Sequence, residues 1–160
     1  HHYGDLLTPP EAQISEVTGI LPGLDGRKMS KSYNNTIPIF SDEKTLKKSI
    51  MKIKTNSLEP GEPKETKDCN IFNIYKAIAS EAEISDLETR YQEGIGWGDA
   101  KNLLFETLDE FLTPFKAEYE NIIKDKSHVE SVLLEGASKA KEVSGPLIEE
   151  IRKSVGIKGF

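Results

Sequence analysis

The sequence predicts a mainly α protein: an antiparallel helical bundle preceded by a shorter piece that carries a polar loop. Three observations point there. From Asp68 to the end, apolar residues recur at helical spacing. Hydrophobic residues make up 36% and charged residues 30% of the 160 residues, the balance of a soluble, mostly helical globule. Between the two parts, Asn56 to Lys67 holds two prolines, a glycine and many charges, which marks a loop or hinge. The expected division is therefore residues 1–55, a linker at 56–67, and a helical domain at 68–160.

In chain order, Pro9-Pro10 stops any regular element near the start. Ile14, Val17 and Ile20-Leu21 read as one short strand or extended segment, with side chains packed in the core. After a polar loop and the connector Ile37-Pro38-Ile39-Phe40, Ser41 is the expected N-cap of a helix running to about Lys54. Asp42 and Glu43 would suit its dipole, and Leu46, Ile50 and Ile53 its buried stripe. Lys44, Lys47, Lys48 and Lys52 lie mostly off that stripe and read as a solvated face rather than an RNA track.

Ile71, Ile74, Tyr75 and Ile78 predict the next helix, and Ser80/Glu83 and Ser85/Glu88 are two possible capping boxes. Gly94 reads as a helix-ending glycine, Gly94-x-Gly96-x-Gly98 as a tight turn, Asp99 as the following N-cap and Trp97 as a packing anchor. Leu103, Leu104, Leu108, Phe111, Leu112 and Phe115 mark a long helix. Pro114 should kink it without ending it, because Tyr119, Ile122 and Ile123 continue the stripe. Ser127 is the expected cap of a last helix holding Val129, Val132, Leu133, Ala137, Ala140, Val143, Leu147, Ile151 and Val155. Gly136 and Pro146 fall inside it.

The net charge of −6 argues against a general nucleic-acid binder, but the distribution is uneven. Residues 27–67 carry ten Lys/Arg against five Asp/Glu, whereas residues 68–125 carry five against thirteen. One cysteine, Cys69, allows no internal disulfide and fits a reducing compartment. No His or acid constellation surrounds it in sequence, so it is not read as a nucleophile. His1, His2 and His128 lack zinc-ligand spacing, so no metal site is expected; His1-His2 reads equally as a tag remnant or native sequence. No apolar run has the length of a membrane span, and the start shows no signal-peptide pattern.

The chemistry concentrates in residues 23–36. Lys28, Ser30, Lys31 and Ser32 put two ammonium groups and two hydroxyls on one short segment, with Gly23 and Gly26 before it and Asn34 and Asn35 after. Such a loop is pliable and donor-rich and can close over a triphosphate. A solvated basic turn is the alternative reading from residue types alone. The spacing is neither that of a Walker A loop nor that of a dinucleotide-binding G-x-G-x-x-G.

The order of letters is more specific. Lys28-Met29-Ser30-Lys31-Ser32 resembles the KMSKS signature of class I aminoacyl-tRNA synthetases. Its flanks, Gly23-Leu24-Asp25-Gly26-Arg27 and Tyr33-Asn34-Asn35-Thr36-Ile37, resemble the bacterial tryptophanyl-tRNA synthetases most closely, as do Gly94 to Lys101 and Gly136-Ala137-Ser138-Lys139-Ala140. The resemblance implies the C-terminal remnant of a class I Rossmann-like catalytic domain, followed by a helical domain of the anticodon-binding type. It implies ATP and Mg²⁺, with L-tryptophan and tRNA(Trp) as partners of a cytoplasmic, homodimeric parent. Lys28 and Lys31 would be catalytic, with Lys31 nearest the departing pyrophosphate. Met29, Ser30 and Ser32 would bind the nucleotide, and Ile20 or Leu21 would lie along the adenine through backbone groups. Lys101, Lys139, Lys141, Arg152 and Lys153 are available for RNA phosphates. No HIGH-like motif is present, so the chain reads as a C-terminal fragment that should not catalyse alone. A tyrosyl-type synthetase and a non-catalytic helical interaction module are the competing readings.

Overall fold

A computed structural model of the chain describes residues 3, 6–15 and 19–157. Among them are five α-helices: α1 (Glu43–Met51), α2 (Asn70–Lys76), α3 (Glu81–Gln92), α4 (Trp97–Lys124) and α5 (Lys126–Ser154). A 3₁₀ turn spans Lys31–Tyr33. The mainly helical architecture read from the sequence is present. The chain divides into two compact units, residues 14–117 and residues 1–13 with 118–160, and α4 contributes to both.

The core of the 14–117 unit follows from the spacing of apolar residues. Leu46 and Ile50 of α1 are fully buried with Ile53 just beyond its end. They meet Ile71, Phe72, Ile74 and Tyr75 of α2, Leu87 and Tyr91 of α3, and Ala100, Leu104, Phe105, Leu108 and Leu112 of α4. Each large apolar side chain buried here contributes about 1.5–3 kcal/mol. Tyr91 is central: its ring meets Phe72 and Trp97 edge-on, and its hydroxyl lies 3.4 Å from the Cys69 thiol. Burial, and then the contact with Cys69, pushes the Tyr91 hydroxyl far above its ordinary pKa. Trp97 is the packing anchor expected of it, with Nε1 donating to Asn56 Oδ1 at 3.0 Å.

Several local expectations are corrected. Asp42, not Ser41, caps α1: its carboxylate accepts from the Thr45 amide and hydroxyl, while the Ser41 hydroxyl donates to Pro38 O. A carboxylate at a positive helix end outcompetes a hydroxyl. The helix also stops at Met51, three residues early. Asp125 likewise displaces Ser127 as the cap of α5, accepting from both His128 N and the Ser127 hydroxyl. Ser80 and Glu83 form the capping box, but Ser85 and Glu88 lie inside α3. Asp99 stands in the first turn of α4 and not before it.

Ile14 and Ile20 are exposed, and no strand forms among the described residues of the 14–21 segment. Such a segment becomes a strand only beside a partner strand, and among the described residues its pairing is limited to an isolated bridge at its end, Pro22 with Lys28. Val17, His1 and His2 fall outside the described residues. α5 forms as expected and Pro146 does not end it, yet none of its residues is buried; Val143 is 80% exposed. Phe111 and Phe115 of α4 are also exposed and lie against each other.

Candidate functional site

The loop before α1 is folded, not merely pliable. Gly23 N donates to Arg27 O at 2.7 Å and Gly26 N to Gly23 O at 3.0 Å, closing a tight turn in which Gly26 has φ +85°. Beyond it, the backbone of Lys28 bridges antiparallel to Pro22, and Met29 N donates to Leu21 O. Ser30 then caps the 3₁₀ turn, its hydroxyl accepting from Ser32 N. Asn34, left-handed at φ 51°, ends it, a conformation that asparagine tolerates better than most residues.

Asn35 holds these pieces together. It is 2% exposed. Its Oδ1 accepts from Ser30 N at 2.8 Å, and its Nδ2 donates to Asp25 Oδ1 at 2.7 Å and, at longer range, to Lys28 O at 3.3 Å. Its backbone carbonyl accepts from Leu24 N. Asp25 pairs in turn with the Arg27 guanidinium at 2.6 Å, and that guanidinium lies 4.3 Å from the Tyr33 ring centre. The base of the loop is tied to the helices: Lys54 N donates to Leu24 O, and Asn70 Nδ2 to Lys54 O.

Lys28 and Lys31 are exposed, and no described residue holds either ammonium. Two cations with no partner among the described residues stand on a loop whose path is held by backbone and Asn35 hydrogen bonds, an arrangement suited to a polyanion. Ser30 and Ser32 are brought together with them; Leu21 reaches the site through its carbonyl, whereas Ile20 makes no such bond to the loop. A cavity of about 740 Å³ borders the base of the loop at Asp25, Gly26 and Arg27, but neither lysine lines it. Of the candidate RNA contacts, Lys101 is not free. Its ammonium donates to Met51 O near the end of α1, and burial lowers its pKa. Lys139 and Arg152 are paired on the surface of α5 with Glu135 and Glu149.

The hydrogen bond from Asn35, then those from Arg27, hold the Asp25 carboxyl at about 2, below its ordinary 3.8. With a lowered folded value, the stabilising contribution is complete above the ordinary pKa and is lost as pH falls through about 2. An NMR titration of the Asp25 carboxyl is expected to give a midpoint near that value; a midpoint at the ordinary carboxylate position would show that the Asn35 contact does not persist in solution.

Asn35 and Asp25 carry no charge pattern or motif that sequence reading singles out as structural. The usable signal is Gly23, where a Cβ would sit 2.3 Å from the Asn35 amide carbon.

The helical body and the lysine loop agree with the class I synthetase resemblance of the sequence. The sequence model of the family "tRNA synthetases class I (W and Y)" matches residues 2–113, and the chain belongs to that family. It is 44% identical over 156 residues to the tryptophan–tRNA ligase of Pseudomonas syringae, covering 98% of this chain and 35% of that protein. It is 40% identical over 158 residues to the tryptophan–tRNA ligase of Neisseria meningitidis, covering 99% of this chain and 47% of that protein. The crystal structure of tryptophanyl-tRNA synthetase from Campylobacter jejuni complexed with ADP and tryptophan superposes with a TM-score of 0.77 at 38% identity, over 96% of this chain and 49% of that one. The chain thus spans between about a third and a half of the length of these relatives.

Proposed function

We propose that this chain is the C-terminal part of a tryptophan–tRNA ligase that joins L-tryptophan to tRNA(Trp) through tryptophanyl-adenylate. The observation that carries the reading is the KMSKS segment folded as an Asn35-centred loop with both ammonium groups unpartnered among the described residues. The names of the relatives favour tryptophan over tyrosine. In this reading residues 1–55 complete a nucleotide-binding domain, 56–67 form the linker, and 68–160 meet the tRNA anticodon. The part alone does not catalyse, because half a nucleotide site cannot position both reactants.

The reaction has two steps. The tryptophan carboxylate attacks the α-phosphorus of ATP and pyrophosphate leaves; the terminal ribose hydroxyl of the tRNA then attacks the activated carbonyl and AMP leaves. Both depend on positioning and on neutralising the charge of the leaving group. Lys28 and Lys31 supply positive charge to the β- and γ-phosphates. Ser30, Ser32 and the Met29 backbone add uncharged contacts, and the backbone at Ile20 and Leu21 flanks the adenine. The loop carboxylate, Asp25, is committed to Arg27 and Asn35, and the described residues show no carboxylate cluster fit to cage a cation. Mg²⁺ is read as entering with ATP, as part of the substrate.

The parent is read as a cytoplasmic homodimer; no helix among the described residues is long and apolar enough to cross a membrane. The test is ATP–pyrophosphate exchange by the full-length protein with each amino acid in turn. Exchange should depend on tryptophan; dependence on tyrosine would favour the sister enzyme, and exchange with neither would refute the ligase reading.

A further inference from the structure

We propose that Asn35, acting through Asp25, is the positioning residue that sets the shape of the lysine loop for catalysis. This rests on the ligase reading above and names a residue outside the five-residue signature. The amide at position 35 must accept on one side and donate on the other. Ser30 presents an N–H, whereas Asp25 and Lys28 present oxygens. Only a primary carboxamide meets that demand; a carboxylate would face Asp25 with like charge, and an aliphatic residue would leave Ser30 N and the Asp25 carboxylate without these partners.

The contacts also fix both ends of the signature. Ser30 N and Lys28 O straddle Met29, so Asn35 determines the path between Lys28 and the 3₁₀ turn that begins at Lys31. Asp25 extends the clasp to Arg27, whose guanidinium meets the ring of Tyr33 at the end of that turn. Gly23 is part of the same device, because any side chain there would occupy the place of the Asn35 amide. The lysine ammonium groups themselves have no such restraint, so the backbone beneath them is what delivers them.

The test uses the full-length protein and tryptophan-dependent ATP–pyrophosphate exchange. Asn35→Ala should lower kcat on the order of 100-fold while leaving KM for tryptophan unchanged, since a misplacement near 1 Å has that effect. Asn35→Asp should show a pH-dependent defect: severe at pH 8, where the carboxylates at positions 25 and 35 both carry charge beside Arg27, and smaller relative to wild type as pH falls and one proton is shared between them. A wild-type kcat in Asn35→Ala, or an Asn35→Asp deficit that does not change with pH, would overturn the proposal. If Asn35→Ala fails to fold, Asp25→Ala, at a side chain one-third exposed, decides instead, with a kcat loss of about 10-fold expected and no loss refuting it. An inactive wild-type protein would instead refute the ligase reading and is distinguishable from any of these results.

Discussion

Replacing Lys31 by alanine in the full-length protein is expected to slow tryptophanyl-adenylate formation by about 10²–10³-fold, the usual effect of deleting one preorganised stabiliser of developing charge. Tryptophan affinity should hardly move. Lys31 opens the 3₁₀ turn, its backbone carbonyl is fixed by Asn34 N, and its ammonium has no partner among the described residues. Removing it therefore disturbs no protein contact, and the loss falls on the step in which pyrophosphate departs. Single-turnover adenylate formation and equilibrium tryptophan binding separate the two terms. Equal losses in both would mean that Lys31 supports the fold of the amino-acid pocket and not the leaving group.

The loop shows where sequence reading succeeds and where it stops. Residue types and letter order single out Lys28 to Ser32 as the candidate phosphate-binding segment, because charge and hydroxyl content are properties of single residues, and the structure places them together on one loop. The Asn35 clasp depends on contacts made between positions five and ten apart, which no periodicity encodes. Helices show the same division. Leu46, Ile50, Leu104, Leu108 and Leu112 were legible as buried from spacing alone. Caps were less so, since Ser41 and Asp42, or Asp125 and Ser127, can all accept from a free helix amide, and charge at the positive helix end together with the backbone's entry into the helix chooses between them. The stripe on α5 was legible as a helix but not as a core, because amphipathicity reports a face and not what covers it.

The glycine-rich turn at 94–98 gives the sharpest case, and it predicts opposite outcomes for residues four apart. Gly94 has φ +87° and closes α3: its N–H donates to Tyr91 O, and Ile95 N donates to Arg90 O. Its carbonyl accepts from Gly61 N at 2.8 Å, and a Cβ at position 94 would stand 2.4 Å from the Gly61 carbonyl carbon. The linker is thereby pressed onto the turn, where Lys64, 1% exposed, donates its ammonium to the carbonyls of Glu59 and Glu62 below the Trp97 ring. Gly94→Ala is expected to destabilise the chain by about 3 kcal/mol, from left-handed strain and a displaced linker. Gly98 lies within α4 with open space where a Cβ would go, so Gly98→Ala should stabilise by about 0.5–1 kcal/mol. Urea denaturation of the two variants measures both; a Gly94→Ala variant as stable as wild type would show that the turn tolerates a side chain there and that the linker is not held, and a destabilised Gly98→Ala would refute the open space at that position.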